Sequence, residues 1–260
     1  MQAFLIDNDK VYSYEDLLSD IYNSDSYIPM FRTSSLYEYF KNLILALSKN
    51  QPLILIDSDI TDKELEAMGL SNVNQSKKTE TLQLDNSEEL INKVLYSKSE
   101  ITIFTSGTTG QPKKVVHSIG TLTRSVRKAD KYKGQNWLFA YNPTHMAGLQ
   151  VFFQAFSNEN TLINVFNKNR TFIFNAIEKY SATHISATPT FYRLLLPADR
   201  KFNSVQRVTL GGEKSSSELY TNIQKLFPNA KLNNIYASTE AGSLFAAKGE
   251  NFQIPESIKD

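Results

Sequence analysis

The chain has 260 residues, no cysteine, and 28 Lys and Arg against 27 Asp and Glu, a formal net charge of +1 at pH 7. A polypeptide of this size buries about 75% of the surface its unfolded form exposes, enough to fold as one large domain or two modest ones without a metal or disulfide. The charge balance argues against nucleic acid or an anionic membrane as the main partner. The lack of cysteine excludes a disulfide scaffold, a thiol nucleophile, iron–sulfur ligation and Cys-based zinc sites.

The first ten residues, MQAFLIDNDK, carry acids where a signal peptide carries bases, and no apolar core region follows, so a cytoplasmic location is expected. The apolar stretches 43–47 and 53–56 fall far short of the roughly 20 residues a membrane span requires. Short β-rich runs alternate with longer amphipathic ones, the pattern of an α/β domain. The spacing predicts helices over 14–22 and 36–47, the second with Leu36, Phe40, Leu43, Ile44 and Leu47 at helical intervals, and a buried strand over 53–57. Thr61 and Glu64 form a capping-box signature for a short helix that Gly69 ends. Residues 71–85 lack periodicity and read as a surface loop, after which Asn86 caps a helix that turns Leu90, Ile91, Val94 and Leu95 inward.

Beyond residue 100, strands are expected over 101–104, 137–141, 161–164, 184–186, 205–210, 231–236 and 243–246. Helices are expected over 122–129, 148–156, 171–180, 190–196 and 215–227. In open α/β sheets ligands bind beyond the C-terminal ends of strands, which directs attention to the loops there.

The segment ITIFTSGTTGQPKK sets a strand ahead of Thr105, Ser106, Gly107, Thr108, Thr109, Gly110, Gln111, Pro112 and Lys113. Two glycines let backbone N–H groups approach an anion, four hydroxyls add donors, and Lys113 supplies a point charge. This is a phosphate cradle by composition, expected between a strand and a helix. It is not a Walker loop, which ends in Gly-Lys-Ser/Thr where this chain has Pro112.

TSGTTGQPK resembles the signature loop of the adenylate-forming superfamily, which includes acyl- and aryl-CoA synthetases, adenylation domains of nonribosomal peptide synthetases and beetle luciferase. Further segments resemble that family's motifs in the same order. YNPTHMAGL puts His145 where the family has a residue that gates the acid pocket, with Met146, Ala147 and Val151 as candidates for its wall. THISATPTFYRLL brings Pro189 and Thr190 into register as scaffold. VTLGGEKSSSEL matches the turn against which adenine lies, at Gly211, Gly212 and Glu213. NIYASTEAG matches a loop in which Tyr236 stacks on adenine, Ala237 replaces a usual glycine, and Ser238 leads to Thr239, which bonds the α-phosphate, and Glu240, which helps hold Mg²⁺. Alone, a lone His after a strand is most often a packing residue, a Gly-Gly pair an ordinary turn, and a Thr-Glu pair a helix N-cap. Their joint order is what carries the resemblance.

The resemblance implies stacked mixed β-sheets flanked by helices, with residues 1–260 forming the large N-terminal AMP-binding domain, as two α/β subdomains, and the C-terminal lid domain absent. It implies ATP and Mg²⁺, with coenzyme A or a carrier-protein thiol accepting the acyl group of a small carboxylic acid. Thr239, Glu240, Lys113 and His145 would be the catalytic set and Glu240 the metal ligand. The phosphates would rest on Thr105 to Gly110 and Lys113, with Lys114 in place of a commoner glycine. His117 would stand in an early helix behind that loop and orient it. No ribose-binding Asp or lid Lys motif follows Gly242, so weak or absent turnover is expected of this chain alone. The alternative is a non-catalytic nucleotide- or acid-binding module derived from a ligase core. A third idea, a hydrolase using Ser106 with His117, His145 or His184, lacks the Gly-x-Ser-x-Gly elbow.

Overall fold

A computed structural model describes residues 2–105, 112–197, 199–238 and 242–247. Its strands, in chain order, are β1 (Ala3–Asp7), β2 (Lys10–Ser13), β3 (Ser26–Tyr27), β4 (Met30–Phe31), β5 (Leu53–Leu55), β6 (Lys77–Lys78), β7 (Glu100–Thr105), β8 (Lys113–Ser118), β9 (Asn136–Phe139), β10 (Thr161–Asn164), β11 (His184–Ala187), β12 (Arg207–Gly211), β13 (Lys231–Ser238) and β14 (Gly242–Ala247). Its helices are α1 (Tyr14–Tyr22), α2 (Leu36–Ser48), α3 (Asp62–Ala67), α4 (Ser87–Leu95), α5 (Ile119–Thr123), α6 (Met146–Phe156), α7 (Arg170–Lys179), α8 (Pro189–Leu194) and α9 (Ser217–Leu226).

The strands form an eight-stranded sheet in the order β14-β13-β12-β11-β9-β10-β1-β2, a four-stranded sheet β4-β5-β7-β8 and a β3-β6 pair. Pairing is parallel through the middle of the large sheet and antiparallel only at its edges, β1 with β2 and β13 with β14. Interior strands therefore carry apolar side chains on both faces. Along β9 the alternation is visible: Trp137 and Phe139 join one core, Leu138 the other. The first core also takes in Leu53, Leu55, Ile101 and Ile103 of the small sheet, with α2 and α6 packed between the two sheets. Phe40 of α2 stacks on Phe152 of α6 at 4.5 Å and meets Phe139 edge-on at 5.4 Å. The second core lies under α7, α8 and α9.

Local signals explain the helix starts. Ser13, Ser35, Thr61, Asn86, Asn169, Thr188 and Ser216 each accept a backbone N–H of the first turn. The Thr61–Glu64 box is formed in both directions, and Gly69 follows the end of α3 with φ +68°.

Three expectations are corrected. Residues 113–118 form strand β8, paired antiparallel with β7 from Glu100↔Ser118 to Thr105↔Lys113, so the phosphate-loop segment joins two strands of a hairpin rather than a strand and a helix. His117 accordingly sits buried on a strand, not in an early helix. Where a helix over 122–129 was expected, α5 ends at Thr123. The Arg127 backbone is bound by side chains of and just after α6: its N–H donates to Gln154 Oε1, and its carbonyl accepts from Gln154 Nε2 and Asn158 Nδ2. Finally, β1 and β2 extend the large sheet at an edge the sequence reading left unassigned, joined by a tight turn in which Asn8 and Asp9 both have positive φ.

Candidate active site

The parallel strands deliver several loops to one edge of the large sheet. β9 leads into Asn142, β11 into Thr188, and β12 into Gly211 and Gly212. β5 and β7 of the small sheet end at Leu55 and Thr105. Between the small sheet and the turn that follows β9 lies a cavity of about 150 Å³ lined by Leu55, Asp57, Ile60, Phe104, Thr105, Pro112, Thr144 and His145. Thr105 and Pro112 are the described residues on either side of the Gly- and Thr-rich loop.

Of the site residues expected from sequence, the structure brings Thr105 and His145 to this cavity. Lys113 is exposed at the start of β8, in register with Thr105. His145 is the N-cap residue of α6, its imidazole 59% exposed. Met146 and Val151, candidates for a pocket wall, are buried in the first core, while Ala147 is partly exposed. Ser106, Gly107, Thr108, Thr109, Gly110, Thr239 and Glu240 lie outside the described residues. Tyr236, Ala237 and Ser238 are the last positions of β13, immediately after Ile235, which pairs with Gly211.

The Gly211–Glu213 turn has a defined shape. A Cβ on Gly211 would stand 3.4 Å from the Tyr141 hydroxyl and 3.6 Å from the Ile235 carbonyl, and Gly212 has φ +82°, a left-handed conformation that glycine adopts without strain. The Glu213 carboxylate accepts from the Thr190 hydroxyl at 2.6 Å and its N–H at 3.2 Å, with Arg193 at 3.6 Å. It braces the turn against α8, with Gly211 buried and Gly212 exposed. Tyr141 is held between these strands, and burial pushes its phenol above the ordinary tyrosine range while a hydrogen bond with Ser186 acts in the opposite direction.

The turn into α6 is the most tightly built part of the site. The Asn142 side chain accepts the Thr144 N–H at 2.9 Å and hydroxyl at 2.8 Å, and donates to Asp57. Tyr39, whose phenol is raised by burial and secondarily by Asp57, donates to the Pro143 carbonyl at 2.8 Å. Gly148 lets α6 lie against this turn, since a Cβ there would fall 2.2 Å from the Asn142 carbonyl oxygen. Asp57, Asn142 and Thr144 were not singled out as site residues from sequence. The available signal was position, because Asp57 and Asn142 follow the C-terminal ends of apolar strands.

Among the described residues there is no group of three or more His, Asp or Glu placed to hold a metal, and no helix is long and apolar enough to cross a membrane.

Comparison with known proteins agrees with this architecture. The 4-coumarate–CoA ligase-like 3 of Arabidopsis thaliana is 29% identical over 149 residues, covering 54% of this chain and 27% of that protein. Bacitracin synthase 3 of Bacillus licheniformis is 27% identical over 164 residues, covering 57% of this chain and 2% of that protein. The chain spans no more than 36% of the length of the first curated relatives it matches. The solved O-succinylbenzoate coenzyme A synthetase of Bacillus subtilis, in complex with ATP and magnesium ion, superposes with a TM-score of 0.72 at 16% identity, over 96% of this chain and 60% of that one, a likeness of fold. A family model described as AMP-binding enzyme matches residues 45–258, and the chain belongs to that family.

Proposed function

We propose that this chain is the nucleotide- and acid-binding part of an acid–thiol ligase, which activates a carboxylic acid as its acyl adenylate before the acyl group passes to a thiol. The observation that carries this reading is the cavity between the ends of the β7–β8 hairpin and the His145 turn, in a chain that belongs to the AMP-binding family.

ATP is read as a substrate. Its phosphates would lie along Thr105, Ser106, Gly107, Thr108, Thr109 and Gly110, with Lys113 supplying a positive charge at the hairpin end. Adenine would lie against the turn at Gly211 and Gly212, where a Cβ at 211 would already touch the Tyr141 hydroxyl. Tyr236 would stack on that ring. An oxygen of the acid attacks the α-phosphorus, forming a P–O bond as the bond to pyrophosphate breaks, so no side-chain nucleophile is needed. Thr239 would donate to the α-phosphate and Glu240 would hold Mg²⁺, which supplies charge neutralisation when bound. His145 would border the acid. Coenzyme A or a carrier-protein thiol would accept the acyl group.

Calorimetric titration with ATP and Mg²⁺ tests this, using the wild-type chain and Thr239→Ala. Saturable binding that weakens in the variant is expected. Absence of binding by the folded wild-type chain would overturn the reading.

A further inference from the structure

Asp57 lies two residues beyond β5, and the proposed reaction gives it no part. Its carboxylate is nevertheless fixed at both oxygens: Oδ1 accepts the Asp59 N–H at 3.1 Å and Oδ2 accepts from Asn142 Nδ2. The far end of the Asn142 carboxamide is held by Thr144, the Asn142 carbonyl accepts the His145 N–H at 3.2 Å, and the Pro143 carbonyl is held by Tyr39 of α2. Asp57 from beyond β5 and Tyr39 from α2 therefore converge on one short turn that also bonds within itself, and what that turn fixes is the position of His145.

The imidazole Nε2 stands 3.9 Å from Asp57 Oδ2, too far for a hydrogen bond but close enough for the carboxylate charge to act on the ring. The Asp57 side chain is 23% exposed and that of His145 is 59% exposed, so the anchor is shielded and the ring is presented. A carboxylate beside a site for a triphosphate and a carboxylic acid would repel both unless its charge were held elsewhere. Here the hydrogen bonds from Asn142 Nδ2 and the Asp59 N–H hold the carboxylate towards the turn.

We propose that Asp57 is a positioning residue for His145: it ties the small sheet to the turn ahead of α6, and its charge sets the orientation of the imidazole at the rim of the cavity. Its place in a reaction rests on the ligase reading, in which His145 borders the acid, but the positioning itself requires no nucleotide.

The chain has three histidines, so ring carbon–proton NMR signals of the full chain can be assigned with His145→Gln. Asp57→Asn keeps an oxygen for Asn142 and removes the charge; Asp57→Ser removes the same charge and serves if Asp57→Asn does not fold. The expected result is that the His145 signal shifts while those of buried His117 and His184 stay in place, which also reports that the fold is intact. Asp57→Glu, which restores the charge, should bring the His145 signal back toward its wild-type position. A His145 signal that superposes on wild type in a folded charge-removed variant overturns the proposal, as does a shift that Asp57→Glu fails to reverse. The ATP titration of the wild-type chain is scored separately: failure there removes the ligase reading and leaves the His145 result standing.

Discussion

The two walls of the candidate site are built in different ways. The wall contributed by the large sheet, from Asn142 to Gly148, is locked by side-chain hydrogen bonds, by Tyr39 and by a helix that touches backbone where Gly148 lacks a Cβ. The wall contributed by the small sheet lies at the end of the β7–β8 hairpin where Thr105 pairs with Lys113, with Pro112, Lys113 and Lys114 all exposed. The first wall has shape and little charge of its own; the second presents cations to solvent. The difference suits a site in which one side must fix a geometry and the other must meet phosphate, since preorganised dipoles act through rigidity while lysine acts as a point charge.

The sharpest way to break the rigid wall is Gly148→Ala. The added methyl meets the backbone of Asn142, which has no rotamer to escape into, so the turn or the helix must shift. A loss of about 3 kcal/mol is expected from overpacking of this kind, measured as a lower urea midpoint with unchanged slope. Gly120→Ala is the contrast: its Cβ would meet only Ser118 Oγ, at an ordinary 3.8 Å, and within α5 the change should be neutral or slightly stabilising.

Acid sensitivity should come from the opposite end of the large sheet rather than from either wall. His184 begins β11, buried against Trp137 with ring centroids 4.7 Å apart, and desolvation first, then Arg207, lowers its pKa from 6.5 to about 4. Its folded value lies below its unfolded one, so the unfolded chain binds the extra proton between these values and stability is lost as pH falls from 6.5 towards 4. Going from pH 7.5 to pH 4.5 should remove roughly 2.5 kcal/mol, and His184→Gln should flatten that part of the profile. Asp16 and Glu64, held below their ordinary values by hydrogen bonds to Ser13 and Thr61, keep their stabilisation until lower pH. A smaller effect, about 2 kcal/mol, is expected for Asn142→Ala, which leaves Asp57 and Thr144 without their shared partner. Equal unfolding midpoints for that variant and wild type would mean that the Asn142 side chain contributes nothing to holding the turn.

What could be read in the sequence was what neighbouring residues decide. Helical spacing in 36–47 and the Thr61–Glu64 box describe interactions within one turn or one face, and both formed. The strand after the phosphate loop was missed because KKVVHS has no decisive period of its own; it is a strand because six consecutive residues of β7 pair with it. The lost helix beyond Thr123 has the same kind of cause, since Gln154 and Asn158 take the backbone groups at Arg127. The hairpin at Asn8 and Asp9 did have a local signal in its turn residues. Within the site, His145 and Thr105 could be found through motifs, whereas Asp57 and Asn142 meet across 85 positions of sequence and are recognisable only once two sheets have been brought together.

The hairpin wall is best tested by separating its two lysines. Lys113 pairs in register with Thr105, the last residue before the Gly- and Thr-rich loop, and Lys114 pairs with Phe104 one step further in. Successive residues of a strand point to opposite faces, so a phosphate carried on one face of the hairpin meets one of these charges and not the other. Under the ligase reading that residue is Lys113, and Lys113→Ala should weaken ATP binding by roughly tenfold, about 1.4 kcal/mol, with the unfolding midpoint unchanged because the side chain is exposed. Lys114→Ala should change affinity far less. Raising ionic strength should narrow the gap between wild type and Lys113→Ala, since the interaction is Coulombic and close to solvent. Equal losses in the two variants would mean that the hairpin end acts only as a diffuse positive field, and a larger loss at Lys114 would put the phosphates on the other face of β8.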